Sequence, residues 1–411
     1  MQPKLTKHVL ENGLQIFFYK DKNKHTANFH LVVKFGGING DFILDNQKYH
    51  IANGMAHLLE HLLLEHSQYG NLTHKLRKMN MSSNGVTNIY KTEFYFSTVE
   101  NLEQGIEVMI KGINEPCFTS QDLDETKPAI YEEIRIGNDS KFKQLFNMRN
   151  KQLFKKIPYI DTAGEVKEVA SFDYDLVTKT YQAFYRPNNQ IILVAGNFDE
   201  TKILNQIKKL YNQLPQNNHQ VTIVNYDEPD EINQKYLKKK FNTGQDIVTI
   251  SYKINIKNLT PEQKLELDFY LIYFGQMNFS ETSSLYNDLI TRRIVNGLNC
   301  YHTFFNDTLV FSIEAFVKDE KQFTDKIIKA IKTPILDEEL FNLYQKESKV
   351  GIATRFENLN KIIKPLIINI TSFNYYKADS IEQINSYNFK RFKQMINSLN
   401  FDNYIISKIE K

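Results

Sequence analysis

The sequence is poor in cysteine, has no tryptophan and contains no long apolar run. Its two cysteines, Cys117 and Cys300, are far apart and show no C-x-x-C spacing. That pattern argues against a disulfide framework or a thiolate zinc site and favours a reducing compartment. No stretch reaches the ~18 apolar residues of a membrane-spanning helix, and no apolar segment follows Lys4 and Lys7 as in a secretory signal. We therefore expect a soluble cytoplasmic protein that does not enter a membrane.

The chain also lacks a surplus of either charge. Its 51 Lys and Arg nearly balance its 48 Asp and Glu, so we expect no nucleic-acid partner. A single hydrophobic core stops growing at about 250 residues, whereas this chain has 411. The length therefore predicts at least two domains.

The order of predicted elements divides the chain into two similar halves. The N-terminal half shows two strands between residues 14 and 35, a helix at 51–66, a strand at 86–99, a helix at 102–113, a helix from 119 or 120 through Pro128, a strand at 191–196 and a helix at 200–214. The segment 218–235 is polar and contains proline, as linkers often are. After it we expect a strand at 247–254, a helix at 261–274, a helix start near Ser280, a strand at 309–317 and then helices to the end. We predict an N-terminal domain at 1–217, a linker at 218–235 and a C-terminal domain at 236–411.

The motif His57-Leu58-Leu59-Glu60-His61 lies in the apolar helix predicted for residues 51–66. Residues four apart lie one turn apart on a helix, so both imidazoles project from one face and can bind one metal ion. Glu60 lies about a turn from His57, where its carboxylate can reach a water molecule at the metal. This is the H-x-x-E-H motif, the inverse of the H-E-x-x-H motif of other zinc peptidases. His66, five residues after His61, points elsewhere and is interpreted as a solvated or capping residue.

A catalytic zinc site usually has three protein ligands, so a third must come from another segment. The helix that begins near residue 120 contains Glu125, Glu132 and Glu133. Glu125 and Glu132 are seven residues apart and share a face, which Glu133 leaves by ~100°. Either of the first two could bind the metal while the other supports the ligands, with Glu133 as a solvated neighbour. The alternative is that all three lie on an ordinary charged helix face.

Taken together, the motifs of this chain resemble the insulinase-like and pitrilysin-like M16 zinc metallopeptidases, especially bacterial members similar to the mitochondrial processing peptidase. The resemblance covers most of the chain. It rests on these segments: 12–14 (Asn-Gly-Leu), 54–61 with the inverted zinc motif, 84–87 (Asn-Gly-Val-Thr), 125 with 131–134 (Glu and Tyr-Glu-Glu-Ile), 162–164 (Thr-Ala-Gly), 185–189 (Tyr-Arg-Pro-Asn-Asn) and 194–196 (Val-Ala-Gly).

The resemblance implies a set of functional residues. His57, His61 and Glu132 would bind one Zn²⁺ per chain, Glu60 would be the general base, and Glu125 would support the site. A peptide substrate would add as a further strand beside Asn84, Gly85 and Val86, a binding mode that tolerates many sequences.

The resemblance also implies an α+β fold of two layers. Each of two related domains would have a mainly antiparallel sheet packed by helices, in a clam-shell arrangement, and only the first would hold a metal. Two such chains, as a homodimer or as a heterodimer with a paralogous M16-like chain, would close around a chamber that admits peptides and unfolded segments.

One segment departs from the family pattern. Active relatives place an Arg and, seven residues later, a Tyr in the second domain, where they hold the substrate. Here the residue seven after Arg293 is Cys300, and the tyrosine is Tyr301. A one-residue slip reverses the side of a strand to which a side chain points. Arg293 and Tyr301 are therefore candidates for this role that depend on local geometry, unless a partner chain supplies these groups.

Three functions fit these observations. The first is a zinc endopeptidase that cleaves short or unfolded peptides and processes a peptide precursor, with Glu60 moving a proton from water to the leaving amine. The second is a non-catalytic partner subunit of a heteromeric peptidase. The third is a metal-dependent hydrolase of another amide or ester. The retained zinc motif favours the first.

Overall fold

The computed structural model describes residues 4–157, 161–215, 217, 219–242, 244–355, 358–377 and 380–411. The chain divides into two compact units, the first formed by residues 1–136, 160–226 and 359–364 and the second by 137–159, 227–358 and 365–411. Residues 1–3, 158–160, 216, 218, 243, 356–357 and 378–379 of the predicted domain and linker ranges lie outside the described residues. No helix in the described part is both long and apolar enough to cross a membrane.

The first unit contains a six-stranded sheet and a three-stranded sheet. The strands are β1 (Lys4–Val9), β2 (Gln15–Lys20), β3 (Ala27–Val33), β4 (Asp41–Leu44), β5 (Gln47–His50), β6 (Ser82–Thr87), β7 (Thr92–Thr98), β8 (Gln190–Gly196) and β9 (Val221–Ile223). The larger sheet has the order β1-β2-β8-β3-β7-β6 and the smaller has β5-β4-β9. Only β2 and β8 pair in parallel; the other described pairs of these sheets are antiparallel. Strand β6 is therefore an edge strand.

Eight α-helices of the described residues lie between these strands in the sequence. They are α1 (Met55–Glu65), α2 (Leu72–Arg77), α3 (Leu102–Asn114), α4 (Ser120–Asn138), α5 (Lys141–Leu153), α6 (Val166–Ala170), α7 (Tyr174–Phe184) and α8 (Glu200–Gln213). Alternate residues of β3, such as Phe29 and Leu31, face the core together with Leu58 and Leu62 of α1. Fully burying one such side chain contributes roughly 1.5–3 kcal/mol to folding. Burial of the apolar side of α1 leaves its polar residues for the site described below.

The second unit contains a five-stranded sheet, helix α5 and the later helices, except that residues 359–364 are assigned to the first unit. Its elements are α9 (Pro261–Phe279), α10 (Ser284–Thr291), α11 (Glu320–Lys332), α12 (Glu338–Arg355), α13 (Leu359–Phe373), α14 (Ser380–Ser386), α15 (Phe389–Asn397), β10 (Tyr236–Lys240), β11 (Asp246–Asn255), β12 (Val295–Phe305), β13 (Thr308–Val317) and β14 (Tyr404–Glu410). The strand order is β10-β14-β11-β13-β12, with only β10 and β14 in parallel. The core joins strand residues such as Ile250 and Phe311 to Tyr270 and Phe274 of α9. The predicted α+β class, with a mainly antiparallel sheet in each of two domains, is confirmed.

Two element predictions were wrong. Residues 86–99 do not form one strand, because the Asn88 side chain accepts hydrogen bonds from the backbone N–H groups of Tyr90 and Lys91 and closes a turn between β6 and β7. The chain also does not end in helices. Its last element is β14, which lies between β10 and β11 and buries Ile405, Ser407 and Ile409 at alternate positions, the period of a strand.

The units meet in the chain within the segment predicted as a linker. The assignment changes between residues 226 and 227, inside the segment 218–235. That segment is not an extended linker, since β9 pairs with β4 and Glu228 accepts hydrogen bonds from three backbone N–H groups, those of residues 155–157. Residues 137–159, predicted in the N-terminal domain, belong to the second unit, where Gln152 bonds to Ile406 and Ser407.

Candidate metal centre

Two glycines fix the start of α1. Gly54, just before the helix, has φ +92°, and a Cβ there would lie 2.7 Å from the carbonyl oxygen of Ala163. Gly164 has φ +74°, and its Cβ would lie 2.5 Å from the carbonyl oxygen of Asn53. Only glycine adopts these conformations at such close approach without strain. The motifs at 54–61 and 162–164 are therefore parts of one contact that sets where α1 begins.

Three side chains meet beside α1. The Nε2 atoms of His57 and His61 lie 3.3 Å apart. The Glu133 carboxylate of α4 approaches both, with Oε2 at 3.3 Å from His57 and Oε1 at 3.6 Å from His61. Among the described residues, these three form the group whose donor atoms could hold one metal ion, all within 4.8 Å of one another.

The spacing of this group fits zinc. Two ligand atoms at ~2.05 Å from a tetrahedral ion are ~3.3 Å apart, and the two imidazole nitrogens are separated by 3.3 Å. Two imidazoles and one carboxylate form a typical ligand set of catalytic zinc, with a fourth position left for water. The residues present therefore fit a zinc ion.

The third member of the group is Glu133 rather than the predicted Glu132. Glu132 points away from α1 and forms an exposed ion pair with Arg135. Glu125 is also exposed and accepts a hydrogen bond from Gln121. The predicted face of α4, shared by Glu125 and Glu132, is thus the solvent face, and the next residue, ~100° further round the helix, faces the histidines.

The Nδ1 atom of His61, on the side of the ring away from His57 and Glu133, has a carboxylate partner. His61 Nδ1 lies 3.1 Å from Oε1 of Glu65, one turn along α1. Burial disfavours protonation of His61, but the hydrogen bond to Glu65 and the charge of Glu133 outweigh it and raise the pKa of His61. Such a carboxylate fixes the ring so that Nε2 is presented to a metal. Glu65 was not among the predicted site residues, although its i, i+4 spacing from His61 indicates this contact.

His66 takes no part in this group. Its backbone N–H donates to Leu62 and caps α1, as one of the two predicted roles had it. Its ring lies 3.0 Å from Asp122 and 3.2 Å from the Thr126 hydroxyl.

Glu60 is buried between α1 and the edge strand β6. Thr87 of β6 donates a hydrogen bond of 2.5 Å to Oε2 of Glu60, and a Cβ on Gly85 would lie 2.6 Å from Oε1. Burial raises the pKa of the Glu60 carboxyl, although the Thr87 hydrogen bond and His61 oppose the shift. A carboxylate held this way beside His57, His61 and Glu133 is placed to act as a proton acceptor.

The predicted substrate-binding residues Asn84, Gly85 and Val86 lie in the middle of β6. Gly85 shares the Glu60 side of the strand, whereas Asn84 and Val86 point to the opposite, exposed side. Among the described strands β6 pairs only with β7, so its other edge offers backbone groups to an extended peptide.

Arg293 and Tyr301 belong to the second unit. Arg293 is exposed in a turn with φ +55° before β12. The Tyr301 hydroxyl donates to Glu314, and its ring lies 5.8 Å from the guanidinium of the buried Arg149 of α5. Cys300 points to the other side of β12, where its Sγ lies 3.3 Å from the Cβ position of Gly275. Every contact described for Tyr301 is thus with its own unit.

Two family models match this sequence. The model described as "Insulinase (Peptidase family M16)" matches residues 16–162, and that described as "Peptidase M16 inactive domain" matches residues 171–345. Together they span most of the chain, and the metal group lies within the first. The chain belongs to peptidase family M16. The narrower likeness to the mitochondrial processing peptidase stays a prediction.

Relatives within the M16 family agree with this assignment. The uncharacterized zinc protease YmfH of Bacillus subtilis is 28% identical over 218 residues, which are 52% of this chain and 51% of YmfH. The probable zinc protease PqqL of Haemophilus influenzae is 25% identical over 231 residues, 51% of this chain and 23% of PqqL. The matched regions thus span about half of YmfH and about a quarter of PqqL.

A solved structure shows the same fold over the whole chain. The putative M16-like peptidase from Alicyclobacillus acidocaldarius superposes with a TM-score of 0.91, covering 100% of this chain and 99% of that one at 18% identity. At this identity the likeness shows the M16 fold and carries no residue roles.

Proposed function

We propose that this protein is a zinc-dependent endopeptidase that cleaves short or unfolded peptides. The observation that carries the proposal is the juxtaposition of three elements: the group His57, His61 and Glu133, the buried Glu60 beside it, and the open strand β6 against Glu60. The zinc proteases among the relatives support the same class.

His57, His61 and Glu133 would hold the ion, and Glu65 would orient His61. When bound there, zinc supplies a Lewis acid that polarises a carbonyl and makes water more acidic. Backbone groups of β6 would hold the peptide extended beside Glu60.

Glu60 moves the proton. It accepts one proton from the attacking water as the new carbon–oxygen bond forms, and it delivers that proton to the amide nitrogen as the carbon–nitrogen bond breaks. Burial, which raises the pKa of Glu60, makes it a stronger acceptor than an exposed carboxylate.

Thr87 can form a hydrogen bond with Glu60 in both protonation states of the carboxyl group. Its hydroxyl lies 2.5 Å from Oε2 of Glu60 and 3.3 Å from the hydroxyl of Thr92, which in turn donates to the carbonyl oxygen of Phe35. When Glu60 is ionised, Thr87 donates to it. When Glu60 is protonated, Thr87 can accept from it and turn its own hydrogen to Thr92. Thr87 is thus a positioning residue.

The proposal is tested with Glu60→Gln and a library of quenched peptides, with and without a chelator. We expect Glu60→Gln to keep its zinc and to lose ~10²–10⁴-fold in kcat, the usual contribution of a general base. Glu107→Gln, which removes a carboxylate on α3 paired with Lys111, is the matched control. Undiminished cleavage by zinc-loaded Glu60→Gln would overturn the role of Glu60. A zinc-loaded wild-type chain that cleaves no peptide would favour the non-catalytic partner subunit.

The wider setting is also a proposal. We infer a cytoplasmic protein that processes a peptide precursor in a chamber closed by two chains, either identical or paralogous. Both cysteines are free, as in a reducing compartment. Light scattering on the purified chain, alone and with any paralogue from the same genome, tests the pairing. A monomer under both conditions would contradict it.

A further inference from the structure

A small cavity lies beside the start of the edge strand. It measures about 300 Å³ and opens between α2 and β6, lined by Thr73, Arg77, Asn80, Met81, Ser82 and Ser83. Thr73 and Arg77 are one turn apart on α2 and face the cavity together, while Leu72 and Leu76 on the other side of the helix are buried in the core.

Two polar groups of this cavity have no partner in the described part of the chain. The Ser83 hydroxyl oxygen is buried and forms no hydrogen bond. No carboxylate of the described residues pairs with the Arg77 guanidinium, which is exposed. The Thr73 hydroxyl is already engaged with Asn71. A ligand with strong acceptor oxygens could take hydrogen bonds from both Arg77 and Ser83, and a carboxylate is the matching group in peptides.

The segment that forms the cavity carries charge of one sign. Residues 67–87, which include α2 and β6, contain no Asp or Glu, but they contain Lys75, Arg77 and Lys78. These cations favour an acidic side chain at the cavity.

The strand periodicity sets which peptide residue would reach the cavity. Ser83, Gly85 and Thr87 share one side of β6, and the last two contact Glu60. In a paired strand, alternate residues share a side. A peptide residue opposite Gly85 faces Glu60, so the residue opposite Ser83, two positions away, faces the cavity.

We propose that the cavity is a subsite for an acidic side chain, in which Arg77 and Ser83 bind the Asp or Glu that lies two residues from the peptide residue facing Glu60. The subsite gives the enzyme a substrate class, namely extended peptides with a carboxylate near the scissile bond. This rests on the proposed function, since its occupant is a peptide paired with β6.

The first test compares kcat/KM for peptides that differ only in Glu, Gln or Lys at each position within three residues of the scissile bond. At one position, two residues from the one facing Glu60, we expect the wild type to favour Glu over Gln by about tenfold, the worth of one charge-assisted hydrogen bond. Arg77→Glu should reverse this preference to Lys, and Ser83→Ala should reduce it without reversing it. Lys78→Glu changes the charge equally at a neighbour that does not line the cavity, and it should keep the preference.

The second test separates this proposal from the proposed function. Fluorescent Glu and Gln peptides are bound to zinc-loaded Glu60→Gln protein, and anisotropy reports the affinity without cleavage. Tighter binding of the Glu peptide that is lost in a Glu60→Gln/Arg77→Glu double variant supports the subsite even if no cleavage is found. Equal affinities, or an equal loss with Lys78→Glu, would overturn the subsite while leaving the peptidase assignment intact.

Discussion

Glu132 and Glu133 are neighbours in the sequence, yet they have different surroundings. Glu133 lies against the two histidines, and Glu132 forms a surface pair with Arg135. The spacing of acidic residues along α4 shows which of them share a face, but it carries no information on which face meets α1. Only the packing of the two helices decides that.

Glu133→Gln should therefore lose zinc, whereas Glu132→Gln should retain it. Removing one of three ligands weakens a zinc site strongly, while removing a partner of an exposed ion pair costs at most ~1 kcal/mol of stability. Metal analysis after dialysis against a weak chelator measures the difference. Zinc lost from Glu132→Gln and kept by Glu133→Gln would return the third ligand to the predicted residue.

Thr87→Val should lower kcat by about 10- to 100-fold, because a hydrogen bond to a charged group contributes ~1.5–3 kcal/mol. We expect KM to change by less than about twofold and the zinc content to stay unchanged. Thr87→Ser, which keeps the hydroxyl, should restore most of kcat. Thr98→Val removes another buried hydroxyl of the same sheet, bonded to the carbonyl oxygen of Glu100, and serves as the control. A failure of serine to rescue would mean that the methyl group, not the hydroxyl, matters.

At the scale of elements, β3 and β7 carry a buried charged group on the side of the sheet opposite Phe29 and Phe94. The Glu93 carboxylate lies 2.6 Å from His30 Nδ1 and pairs with Lys91. Burial lowers the pKa of Lys91, and the positive charge of Lys364 on α13 lowers it further, whereas Glu93 opposes the shift. Burial disfavours the charged form of Glu93, but the bonds from His30 and Lys91 outweigh it and hold its pKa at about 2.

This group makes stability depend on pH in a defined direction. The pKa of Glu93 is lowered from 4.5 to about 2, so its contribution is complete above pH ~4.5 and is lost as pH falls towards 2. The shift corresponds to on the order of 3 kcal/mol. We expect the free energy of unfolding of Glu93→Gln to lie below that of wild type at pH 6, with the difference shrinking between pH 5 and 2.

Urea unfolding followed by circular dichroism at several pH values measures this difference, with Glu107→Gln, at a half-exposed position, as the control. A difference that stays constant down to pH 2 would contradict the lowered pKa.

The sequence predicted elements well where periodicity is strong and local. The apolar helix around α1 and the buried strand β8 are confirmed. The β6–β7 turn was missed because Asn84-Gly85, a common turn pair, lies inside a strand, while the turn depends on the side chain of Asn88. Strand β14 was missed although Ile405, Ser407 and Ile409 alternate as in a strand.

At the scale of the whole molecule, M16 membership and the two-domain α+β class were predictable, because they depend on motifs and on element order. The assignment of α5 to the second unit was not predictable. Its contacts, such as that of Gln152 with Ser407, join residues 255 positions apart, and no local pattern encodes such a pairing. The polar composition of 218–235 indicated irregular backbone, not absence of contacts.

Strand β6 has one further consequence, which concerns how long a bound chain stays. It has six residues, and four of them are Ser82, Ser83, Asn84 and Gly85, residue types that are not favoured in strands. A short, weakly strand-forming edge gives a partner few stabilising side-chain contacts, so both cleavage products should dissociate quickly, and copies of the protein should not stack edge to edge. The low strand propensity of β6, which discourages edge-to-edge association between copies, would thus also favour rapid product release.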